Sequence, residues 1–105
     1  MKKNKYSGIL GVLTERGKNG TAEDVDIIMS QLTSETNLVM TRFIDFALSL
    51  VEKQEGIERL KYYLFKGTLI QRNYSSLFFN RRLDYEIVME VYKQGAIDEI
   101  QAFAR

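Results

Sequence analysis

The sequence predicts an all-α protein built from five or six short antiparallel helices. Three observations predict it: apolar residues recur at helical spacing in each segment after residue 20, a hydroxyl or carboxylate cap precedes most segments, and no run alternates as a half-buried strand would. Residues 1–20 are expected to form a flexible tail, because they hold four glycines with Lys and Asn between them. Residues 21–105 are expected to form a single helical domain, in keeping with a length that suits one modest core.

Thr21-Ala-Glu-Asp24 has the form of a capping box, in which a hydroxyl and a carboxylate three residues apart satisfy each other's backbone N–H groups. Val25, Ile28, Met29 and Leu32 follow at helical spacing, so the first helix is expected over 21–33. The cap-rich stretch Thr33 to Asn37 opens a second helix over 37–53 that is apolar nearly all round, with Arg42, Asp45, Ser49 and Glu52 as its narrow polar stripe. Such a helix is either central to the domain or partly covered by a partner chain.

After a turn expected around Gly56, Ile57, Leu60 and Leu64 mark a third helix, which Gly67 is expected to close in the left-handed conformation. Thr68 and Gln71 form the next capping box and start a helix over 69–82, whose closing Arg81 and Arg82 suit the negative pole of the dipole. Asp84 is placed to cap a fifth helix with Tyr85, Val88, Val91 and Tyr92, ended by Gly95. Asp98 and Gln101 begin a short last helix with Ile100, Phe103 and Ala104.

The chain has no His and no Cys, which excludes imidazole and thiolate metal sites, Ser-His and Cys-His nucleophiles, and disulfides. The carboxylates Glu23, Asp24 and Asp26 sit in a first helical turn, where capping accounts for them, so no catalytic, metal or cofactor site is expected and the protein is read as non-enzymatic. The apolar part of the basic opening, Ile9 to Leu13, is only five residues long and is interrupted by Gly11, against the roughly 7–15 of a secretory signal. The stretch Leu38 to Val51 is interrupted by charge and falls short of the about 20 residues that span a bilayer. A cytoplasmic location without membrane contact is the expectation.

Helix pairs start near Asn37, Thr68 and Asp98, about thirty residues apart, and Tyr63 to Gln71 shares its aromatic, lysine, glycine and cap with Tyr92 to Gln101. With Gln71-Arg-Asn-Tyr-Ser-Ser-Leu77 as an inner helix, residues 21–105 resemble short HEAT-like repeats. That resemblance implies an α-solenoid fragment acting as a binding scaffold. A compact orthogonal bundle fits the same pattern.

Net charge is +1, but residues 1–20, 21–53, 54–82 and 83–105 carry +4, −4, +4 and −3 in turn, an arrangement suited to docking one copy on another. On the helix over 69–82, Ile70, Tyr74, Leu77 and Phe78 share the core side, while Arg72, Ser76 and Phe79 recur on the far side as a candidate partner-binding face. Ser75 and Ser76 would let another helix approach closely, or would simply be solvated. The leading expectation is therefore a protein-interaction module that self-associates. The alternative is a nucleic-acid-binding accessory protein using Arg59, Lys61, Lys66, Arg72, Arg81 and Arg82 among tyrosines. A third reading places a small-ligand pocket among Phe43, Phe46, Tyr63 and Tyr74.

Overall fold

The computed structural model describes residues 8–105, and every regular element among them is an α-helix. In order these are α1 (Gly8–Asn19), α2 (Ala22–Ser30), α3 (Leu38–Ser49), α4 (Gln54–Lys66), α5 (Leu69–Arg81), α6 (Tyr85–Lys93) and α7 (Glu99–Phe103). They form two compact units, one ending at Arg59 and one running from Leu60 to Arg105, with the boundary inside α4.

Seven helices replace the expected five or six, and the additional one is α1. It lies where a loose tail was expected; the basic residues Lys2, Lys3 and Lys5 of that tail fall outside the described residues. One of the glycines that suggest flexibility, Gly17, is a contact point instead. A Cβ on Gly17 would overlap the backbone carbonyl of Ala47, so the bare Cα lets α1 approach α3 closely. Leu13 then enters the core of the first unit beside Val25, Ile28, Met29, Ile44 and Leu48, and α1, α2 and α3 all pack on one another.

Capping follows the sequence closely. The Thr21–Asp24 and Thr68–Gln71 boxes are both closed, and Asn37 and Asp98 each accept the backbone N–H three residues on. Asp84 departs from expectation, since its side chain makes no cap hydrogen bond. Its backbone explains why. The N–H of Asp84 donates to Phe79 and that of Leu83 to Asn80, a Schellman closure of α5 that places Leu83 at φ 65°.

Two glycines also act differently from expectation. Gly67 is absent from the left-handed positions, which are Gly8, Gly20, Gly95 and Leu83 among the described residues; it is needed for room, because a Cβ there would lie 2.6 Å from the Tyr63 carbonyl. Gly56 does not mark a turn. It lies buried in the first turn of α4, where a Cβ would strike the Gly20 carbonyl.

In the second unit α5 packs against α6 and α7, which also touch each other. No repeated helix pair of the HEAT-like kind is evident within either triad. Leu60, Leu64, Phe78, Phe79, Val88, Val91, Ile97 and Ala102 are the buried apolar residues of this unit.

Candidate interaction surface

The face expected to meet a partner is covered by the chain itself. Ser76 and Phe79 are 0% and 1% exposed, and Arg72 is half-buried. Arg72 donates from Nε to the Ala96 carbonyl at 2.8 Å and from a terminal nitrogen to the Gly67 carbonyl at 2.7 Å. Ser76 donates to Asn73 at 2.7 Å and approaches the Gln101 carbonyl at 3.4 Å. Asn80 continues the row, with Nδ2 at 2.9 Å from the carbonyls of both Ala102 and Ala104.

Arg72, Ser76 and Asn80 stand four residues apart on one side of α5, so their donors form a ladder that receives the backbone carbonyls of residues 96–104. Of the expected partner face, Ser76 and Phe79 are therefore buried within the chain, and Arg72 and Ser76 bond carbonyls of residues 96–104. Ser75 and Ser76 are both buried, which removes the solvated reading.

The basic residues are partly committed to the fold. Arg59 donates to Asp26 at 2.6 Å in the first unit, and Arg72 is held in the ladder described above. Arg82 lies over the Phe78 ring at 5.2 Å from its centroid. Lys66, Arg81 and Arg82 are exposed and Lys61 is half-buried. Arg59 belongs to one unit and the other five to the second, so they do not constitute one described face. The residues considered for a ligand pocket divide likewise, with Phe43 and Phe46 in the first unit and Tyr63 and Tyr74 in the second.

Large apolar side chains are exposed elsewhere, including Ile9 and Val12 on α1 and groups on α3, α6 and α7. On α3, Leu38 and Val39 are 65% and 59% exposed and Phe46 is 38% exposed, so this helix is less fully covered than its composition suggests. In the second unit Tyr62, Leu69 and Leu83 are exposed singly, and α6 and α7 expose a further group. Ile100 and Phe103 are 77% and 61% exposed, and Tyr85 joins them. Phe103 meets Tyr92 edge-on at 6.4 Å between centroids, and the Arg105 guanidinium covers Tyr85 at 4.9 Å.

On α6 the spacing i, i+4, i+7 brings Tyr85, Met89 and Tyr92 onto one stripe, with Glu86, Glu90 and Lys93 along its flank. Tyr85, Glu86, Met89, Glu90 and Lys93 line a shallow concavity of about 340 Å3. Glu86, Glu90 and Lys93 form no ion pair among the described residues.

The sequence names Tyr85, Tyr92, Ile100 and Phe103 as apolar members of the last two helices without separating their exposed from their buried sides. The missed signal is the length of α7: a five-residue helix can bury one side only, and Ala102 occupies it. Among the described residues no cluster of three or more acidic side chains is placed to hold a metal ion, and no helix is long and apolar enough to cross a membrane. Comparison with family models, with curated proteins and with solved structures finds no match to this chain.

Proposed function

We propose that this chain is a non-enzymatic protein-interaction module whose contact surface is the α6–α7 face. One observation carries the reading: Tyr85, Ile100 and Phe103 expose large apolar surface on two packed helices, and Arg105 and Tyr92 join two of them through ring contacts. Aromatic residues, Met and Arg are the types enriched at protein contacts, and a gathered apolar face marks an interaction site where single exposed residues would not.

The binding energy is expected to come from Phe103 and Tyr85, with Glu86 and Glu90 setting the approach of the partner. A photo-crosslinking side chain substituted for Phe103 tests this in cells of the native host, with the same substitution at exposed Lys18 as the control. A discrete protein adduct at position 103 that is absent at position 18 supports the reading. Equal or absent adducts at the two positions overturn it.

A further inference from the structure

We infer that the partner on this face is a second copy of the chain, paired through α6 in antiparallel fashion about a two-fold axis beside Met89. The inference rests on the reading of the α6–α7 face as a contact surface and adds the identity and geometry of its occupant.

The argument comes from how α6 distributes its side chains. Viewed down the helix, Met89 is central, Tyr85 and Tyr92 lie on one flank, and Glu86 and Lys93 lie on the other. Each flank carries its members on opposite sides of Met89 along the helix, three or four residues away. A two-fold axis perpendicular to two antiparallel helices sets each flank against the same flank of its mate, with heights reversed.

Glu86 then faces Lys93 of the second copy, and symmetry makes the pair twice. Tyr85 faces Tyr92 of the second copy, also twice, and Met89 meets its own counterpart on the axis. Met89, the two tyrosines and the Glu86–Lys93 pair are therefore self-complementary in one arrangement. A parallel pairing sets the charged flank against the aromatic one and leaves the charges without counterparts.

Other features of the face agree with this arrangement. Glu86 and Lys93 form no ion pair among the described residues, so an intermolecular pair displaces none. Met89 lines the concavity at the centre, where a flexible thioether accommodates its own copy. Phe103 lies beside Tyr92 and widens the apolar contact past the nine residues of α6. Glu90 is the discordant group, since the two copies bring their Glu90 carboxylates together near the axis.

Charge exchange measured by sedimentation equilibrium of the full chain tests the inference. The unaltered protein is expected to show a monomer–dimer equilibrium below roughly 1 mM, and Glu86→Lys or Lys93→Glu alone should raise the dissociation constant about tenfold or more. The double variant Glu86→Lys with Lys93→Glu should return it to within about threefold of the original, and Glu90→Gln should tighten it.

The double variant separates pairing from helix stability. Acids near the start and bases near the end of α6 also favour the helix dipole, so an effect through folding alone would make the double variant worse than either single one. That outcome, or a strict monomer at roughly 1 mM with unchanged helicity, overturns the inference. A monomer that still yields a discrete adduct at position 103 with a different protein removes the second copy as occupant and leaves the contact surface standing.

Discussion

The side-chain amide of Asn80 donates to the carbonyl oxygen of Ala102 at 2.9 Å, and the same nitrogen reaches Ala104 at 2.9 Å. Together with Arg72 and Ser76 it fastens residues 96–104 through backbone atoms. Apolar burial contributes less there, because α7 is five residues long and turns Ile100 and Phe103 outward. Hydrogen bonds to the main chain consequently hold the helix that presents half of the proposed contact surface.

Asn80→Ala should release α7 before it unfolds the rest. The variant deprives two carbonyls of their donor, a loss of about 1–3 kcal/mol where those groups stay buried. The expected result is hydrogen-exchange protection lost at residues 101–104 while α2 and α3 keep theirs. Uniform loss of protection throughout both units would show that Asn80 supports the whole fold instead.

Gly17→Ala should destabilise the first unit despite the better helix propensity of Ala. Propensity favours the change by about 1 kcal/mol, but the new methyl group would overlap the Ala47 carbonyl, and relieving such a clash costs roughly 1–3 kcal/mol. Urea unfolding is expected to shift to lower midpoint with an unchanged slope. A higher midpoint would mean that α1 and α3 separate easily.

Local chemistry was the legible part of this chain. Thr21, Asn37, Thr68 and Asp98 cap helices as their spacing predicts, because a cap is decided within four residues. Gly17 and Gly56 were misread because their requirement is long-range: Gly17 answers to Ala47 and Gly56 to Gly20, contacts no local pattern contains. The site was misplaced for a related reason. A helical wheel gives α5 two faces and cannot show that residues 96–104 return to cover the one with Arg72 and Phe79.

Stability should fall on acidification through Asp24. Burial alone would raise its carboxyl, but hydrogen bonds from the Thr21 hydroxyl, the Arg16 guanidinium and the Thr21 N–H outweigh that and hold it below the ordinary value of 3.8. A carboxylate with a lowered folded-state pKa contributes fully above its unfolded pKa of about 4 and loses that contribution as the pH drops through the folded value. Asp24→Asn should flatten the acid limb of a plot of unfolding free energy against pH. It should also cost about 1–2 kcal/mol near pH 7, because an amide nitrogen would face Arg16 or Thr21 in place of an acceptor. An acid limb equal in both proteins would place the titration elsewhere.

Leu83→Gly should stabilise the protein. Leu83 occupies the left-handed position of the α5 closure at φ 65°, where Gly95 at φ 77° serves the matching closure of α6. An L-residue in that region costs about 1–2 kcal/mol, and glycine returns roughly 0.5–1 of this through the greater freedom of its unfolded chain. The Leu83 side chain is 69% exposed, so little burial is forfeited. The net gain of up to about 1 kcal/mol corresponds to a rise of several degrees in Tm for a chain of this size. Leu83→Asn should fall between the two, since Asn tolerates the left-handed region better than Leu and less well than Gly. A lower Tm for the glycine variant would mean that the exposed leucine makes contacts worth more than its backbone costs, and dimer-dependent melting would then locate them at the interface.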